Sequence, residues 1–175
     1  GNTFEGKTLS SIVEKMRRKF NVRRFIFVAD RGLFSKGNLA ELEEYNKEFI
    51  VGMKLGVFKK RHRELYNLNQ FEWVNENLAV YETVHEGHRC IITWSRKRAE
   101  RDRKVRSDIL AKIQKKLSSK NVKAKSFVSN SNYKKYVSVP EGEKEKPFLN
   151  EKAIEEESMK DGFFGVITNV KDMQA

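Results

Sequence analysis

The sequence predicts an α/β segment followed by an α+β insertion, and three observations lead there. Phe25-Ile26-Phe27-Val28-Ala29 is a continuous apolar run bounded by Arg24 and Asp30, as in a strand buried on both faces. A second run, Phe49-Ile50-Val51-Gly52-Met53, follows a helical stretch. A strand-helix-strand crossover of that length implies two parallel strands with a right-handed connection. Beyond Gly56 the pattern changes, first to alternation over 71–94 and then to a long charged helix.

Each element follows from its residues. In residues 8–20, Leu9, Ile12, Val13, Met16 and Phe20 share one helical face. Lys15, Arg17, Arg18 and Lys19 fall on the other face or near the C-terminal end, where cations suit the helix dipole. Asn21 is expected to end this helix. Asp30-Arg31-Gly32 breaks the first strand. Asn38 with Glu41 three residues later is a capping-box pattern, predicting the start of a second helix with Leu39, Leu42 and Tyr45 as its apolar positions.

Residues 57–66 are basic and are expected to be weakly structured. Residues 78–84 and 89–94 read as two strands around a Glu86-Gly87 turn. The long helix is predicted over 97–117, where Val105, Ile109, Ile113 and Leu117 recur every four residues beside Leu110. Residues 118–131 are polar and loop-like, 133–139 alternate as a short strand, and Pro140-Glu141-Gly142 turns the chain. The charged stretch 141–146 is expected to be exposed, and 151–159 to form a short helix with Glu155, Glu156 and Glu157 on a solvated face. Asp161-Gly162 introduces a last strand over 163–168.

The chain has 175 residues, 38% hydrophobic and 11% aromatic, which is enough apolar material for a packed core. Its 36 basic residues against 24 acidic leave a charge of +12. Such a surplus favours a polyanionic partner, because each phosphate met by Lys or Arg releases condensed counterions; a solvated basic surface is the plainer alternative. The single cysteine, Cys90, excludes an intramolecular disulfide, and no Cys/His set has zinc spacing. His85 and His88 flank the Glu86-Gly87 turn and read as hairpin residues before they read as a metal pair. No apolar run approaches the ~20 residues of a membrane span, so a soluble intracellular protein is expected. The lack of a Met before Gly1 suggests a segment cut from a longer chain.

Asp30 is the sharpest candidate for chemistry. It follows a buried strand at its carboxyl end, where open α/β sheets present reactive groups, and a carboxylate there can hold a divalent metal. The plain alternative is a turn aspartate accepting nearby amides. Two basic clusters are candidates for phosphate contact: Lys59, Lys60, Arg61 and Arg63, and Arg96, Lys97, Arg98, Arg101, Arg103, Lys104 and Arg106. Their alternative is a solvated helix face carrying pairs such as Asp102–Arg106. Trp73 and Trp94 are candidates for base stacking, against the commoner role of packing in a sheet.

Read in order, Gly1-Asn2-Thr3, Glu5, Thr8-Leu9, Val28-Ala29-Asp30-Arg31-Gly32, Ser35, Asn38-Leu39 and Phe49-Ile50-Val51-Gly52 form a series. So do Ser95, Arg98-Ala99, Asp102-Arg103 and Arg106, then Asp161-Gly162-Phe163-Phe164 and Thr168-Asn169. The series resembles the middle of insertion-sequence transposases of the IS-four superfamily, which have a DDE catalytic core. The resemblance spans nearly the whole chain. It implies an RNase H-like fold whose partial core is 1–55, a β-rich insertion at 56–169, and the start of a link at 170–175 to the helix bearing the last acid. Asp30 maps onto the second acid of the triad. The first acid is then expected upstream of Gly1, and the glutamate beyond Ala175 in a Tyr-Arg-Glu-Lys-like helix. The chain would therefore be catalytically incomplete.

The implied chemistry is metal-dependent strand cleavage and transfer on double-stranded DNA, at transposon ends and target sites, in a prokaryotic cytoplasm. The complete enzyme uses two divalent ions, Mg²⁺ or Mn²⁺, neither of them expected to bind this segment tightly, and is a homodimer when active. Without its upstream strands, the strand at 25–29 is expected to leave an apolar edge open to self-association. Two other functions stay open: a domesticated relative that binds DNA without cutting it, and a basic RNA-binding protein.

Overall fold

The computed structural model describes residues 15, 18–20, 24–32, 34–44, 48–58, 64–119, 127, 130–140 and 146–171. They form a mixed α/β structure rich in sheet. The strands are β1 (Ile26–Ala29), β2 (Glu48–Met53), β3 (Glu72–Asn75), β4 (Leu78–His85), β5 (His88–Ser95), β6 (Val137–Ser138), β7 (Phe148–Leu149) and β8 (Phe163–Thr168). The helices are α1 (Lys36–Glu44), α2 (Arg96–Leu117), α3 (Ser131–Lys134) and α4 (Glu151–Ser158). Six strands make one sheet in the order β1-β2-β8-β5-β4-β3, and β6 pairs with β7. No helix among the described residues is long and apolar enough to cross a membrane.

The chain divides into two compact units. The first comprises Gly1–Val74, Ala79–Thr93 and Phe164–Ala175. Here β1 and β2 are parallel, with Phe27 opposite Phe49 and Ala29 opposite Val51, joined through α1 as the crossover predicts. Arg24 clamps the entrance of the pair, its Nε and Nη2 donating to the Glu48 carboxylate at 2.6 and 2.7 Å. On the other side β2 runs antiparallel to β8, with Val51 opposite Ile167. Thr168 and Asn169 close this seam. The Thr168 hydroxyl donates to the Phe49 carbonyl at 2.5 Å, and Asn169 Oδ1 accepts the Phe49 N–H at 2.8 Å. Phe49, Val51, Ile92, Cys90 and Ile167 are fully buried in this unit. Burial pushes the Cys90 thiol up to about 11, partly offset by a backbone hydrogen bond from His85.

The sheet therefore continues past residue 55. The change of composition at Gly56 marks a change of local pattern, whereas packing returns the chain to β2 at 163–168. The helix expected from Asn38 begins at Lys36, with Leu39 N–H donating to the Ser35 carbonyl at 3.1 Å, so Asn38 lies within its first turn. Of the helix expected over 8–20, Lys15 and residues 18–20 are helical and the rest lies outside the described residues. The Glu86-Gly87 turn has φ of 48° and 85°, the left-handed pair that matches a two-residue hairpin to strand twist.

The second unit comprises Asn75–Leu78 and Trp94–Phe163. Ser95 caps α2, its Oγ accepting from Arg98 N. Ile109, Leu110, Ile113 and Leu117 pack with Phe127, Tyr136 and Val137, while Val105 is 53% exposed. A four-residue spacing advances about 40° around a helix at each step, so four such positions cannot all face one partner. Phe127 lies in a segment that reads as a polar loop, yet it is helical and buried. The strand expected over 133–139 shrinks to Val137–Ser138, because Asn130 Oδ1 accepts from Asn132 and Tyr133 N–H and starts α3 instead. Asn150 caps α4 in the same manner through Ala153 N–H. Glu157 is drawn off the solvated face into ion pairs with Lys135 and Lys160.

Candidate functional site

Asp30 stands one residue past β1, exposed, at the carboxyl end of the parallel pair. Its Oδ1 accepts the Gly32 N–H at 2.6 Å, the local bond that a short acidic side chain makes in a tight bend. Phe34 N–H then reaches the Arg31 carbonyl at 3.4 Å, so the bend is folded on itself before α1 begins. Two glycines border it. A Cβ on Gly32 would lie 2.8 Å from Asp30 Oδ1, and one on Gly52 would lie 2.8 Å from Arg31 N.

A divalent ion takes oxygen ligands from rigid elements and keeps several waters. Asp30 suits one such ligand position, being exposed, anchored to a strand and restrained at one oxygen. Among the described residues no three His, Cys, Asp or Glu gather closely enough to hold a metal. His85 and His88 serve the hairpin end. His88 Nε2 lies 2.7 Å from Glu43 Oε1 on α1, and the His85 ring packs 5.0 Å from that of Phe58. A cavity of about 300 Å³ beside them is lined by Phe34, Leu39, Val57 and Ile167. The His88–Glu43 link escaped sequence reading, since the two residues are 45 positions apart.

Lys59, Lys60, Arg61 and Arg63 lie outside the described residues. The second basic cluster separates on α2 into two kinds of side chain. Arg96, Lys97, Arg101, Arg103 and Lys104 are exposed; Arg96 also donates to the Glu76 carbonyl at 3.3 Å, and Arg101 to Asp102 Oδ1 at 3.1 Å. Arg98 is half-buried with Nε 3.9 Å from Asp102 Oδ2. Arg106 turns inward to a two-pronged pair with Asp161, which raises its pKa further above the ordinary arginine value. The Asp102–Arg106 pair considered from spacing is thus replaced. Asp102 meets Arg98 and Arg101 and accepts the Gly162 N–H at 3.2 Å, leaving Arg106 to Asp161.

The tryptophans also separate. Trp73 on β3 is 49% exposed. Trp94 donates its indole N–H to the Asp161 carbonyl at 3.1 Å, and Gly162 lies so close that a Cβ there would be 2.6 Å from that nitrogen. The Trp94 ring is therefore committed to packing within its own unit. Comparison with known proteins finds no family model, no curated protein and no solved structure that matches this chain.

Proposed function

We propose that this chain is an internal part of a DDE transposase of the IS-four superfamily, contributing part of an RNase H-like core, its β-rich insertion and one of three catalytic carboxylates. One observation carries the reading: Asp30 terminates a strand of a parallel strand-helix-strand unit, where a rigid carboxylate suits phosphoryl chemistry. The ordered resemblance from Gly1 to Asn169 supports it. When bound in the complete enzyme, two divalent ions, Mg²⁺ or Mn²⁺, supply charge neutralisation for in-line displacement at phosphorus. Asp30 is the residue of this chain that would hold them, with Gly32 N–H restraining its Oδ1. Lys97, Arg101, Arg103 and Lys104, exposed on α2, would position the DNA backbone without reading sequence.

The second reading is a nucleic-acid-binding module without catalysis. The exposed basic side of α2 favours it, since that surface works without Asp30. The parent reading frame separates the two. An upstream strand ending in Asp, a downstream Tyr-Arg-Glu-Lys-like helix and bordering inverted repeats fit the transposase. In that protein Asp30→Asn should abolish strand cleavage and spare duplex binding. Replacing Lys97, Arg101 and Lys104 by Ala should lower affinity uniformly across sequences and reduce the salt slope by about one per lost phosphate contact. Cleavage that survives Asp30→Asn would sink the enzyme reading. Tighter binding to RNA than to duplex DNA at equal salt would replace both with an RNA-binding protein.

A further inference from the structure

We infer that Gly52 is a positioning residue for the Asp30 carboxylate, an inference that rests on reading Asp30 as a metal-holding group. The register brings the two together: Ala29 is opposite Val51, so the next step sets Asp30 beside Gly52 before the chain bends. A Cβ on Gly52 would lie 2.8 Å from Arg31 N, 3.3 Å from the Asp30 carbonyl carbon and 3.4 Å from Arg31 Cα. All three are backbone atoms, so no side-chain rotation can relieve the crowding. The bend itself would have to lift.

Conformation does not explain the glycine. Gly52 lies inside β2 without positive φ, where glycine weakens a strand and commonly marks the close approach of another backbone. Its opposite neighbour Val166 belongs to β8, so β2 is held on that side and cannot yield freely. Gly32 works on the same carboxylate from within the bend, through its N–H at 2.6 Å and the absence of a Cβ that would sit 2.8 Å from Oδ1. Gly56, by contrast, has open space where its Cβ would be. Lifting the bend by a few tenths of an ångström moves Asp30 relative to the strand that carries it. Metal and substrate positioning tolerate little such error.

The test compares Gly52→Ala with Gly56→Ala in this chain by amide NMR, using Mn²⁺ ions as the probe. In the wild type, Mn²⁺ should broaden the Arg31 and Gly32 amides, and Asp30→Asn should remove that broadening. Gly52→Ala should raise the Mn²⁺ concentration needed for it several-fold. It should also speed Gly32 amide exchange about tenfold, as expected for loss of one hydrogen bond. Gly56→Ala should do neither. A folded Gly52→Ala protein with unchanged Gly32 exchange overturns the inference. Faster exchange in Gly52→Ala, with no wild-type broadening near Asp30, keeps the positioning and overturns the metal reading instead. If Gly52→Ala does not fold, the wild type decides: a strong Overhauser contact from Gly52 Hα to the Arg31 amide supports the close approach, and its absence overturns it.

Discussion

Arg106 and Asp161 join α2 to the residue pair that opens β8. The Arg106 Nη2 lies 2.6 Å from Asp161 Oδ2, Nη1 donates to Oδ1, and each side chain keeps only 12% exposure. A basic residue that looked available for phosphate in the sequence is therefore part of the internal framework. Truncating one partner leaves the other charge largely desolvated, which costs about 3–5 kcal/mol. Arg106→Ala should lower the urea midpoint accordingly, and Arg106→Met with Asp161→Leu should recover much of the loss. A loss below about 1 kcal/mol for the single variant would mean that water screens the pair as it does at a surface.

Glu157 makes the second unit sensitive to acid. Burial raises its pKa, but hydrogen bonds and charges from Lys135 and Lys160 outweigh that and leave it below the ordinary 4.5. A depressed carboxylate contributes stability above its unfolded pKa and loses it as pH falls through the folded value. The contribution is thus complete at neutral pH and declines below about pH 4.5. Thermal unfolding followed from neutral to acid pH should show this decline. Glu157→Gln should be less stable at neutral pH and should flatten the acid limb; an unaltered limb would refute the assignment.

Gly162 locks Trp94. Its φ is 87°, and a Cβ there would stand 2.6 Å from the indole nitrogen and 2.9 Å from Ala99 Cβ. Gly162→Ala should therefore combine backbone strain with overpacking, for a loss of about 2–4 kcal/mol. In a Trp73→Phe background, Trp94 fluorescence should shift as the indole leaves the Asp161 carbonyl. An unchanged spectrum and melting point would show that the turn opens elsewhere at little cost.

Much of the local structure was legible because local chemistry decides it. The apolar runs that became β1, β2 and β8 carry their strand character in consecutive residues, and Glu86-Gly87 announces its hairpin. The charged helix was legible within one residue at its start. Asp30 at a strand end followed from the same reading, although β1 is the edge strand of the described sheet and is not buried on both faces, with Val28 69% exposed. Less visible were features that depend on competition between close alternatives. Asn130 converts an alternating segment into a helical turn by accepting two amides, and Phe127 is buried although the segment around it reads as a polar loop.

The sequence by itself determined the mixed α/β character, the parallel pair and the basic character of α2, because hydrophobic periodicity and charge act over a few residues. Only the tertiary structure decided which segments meet. Phe49 finds Asn169 across 120 positions, Gly52 finds the Arg31 backbone, and Arg106 faces Asp161 while Lys104 faces solvent. The physical reason is the same in each case. A side chain's type sets the partners it can accept, but which one lies within 3 Å is settled by how sheet and helices close-pack over long separations in the chain.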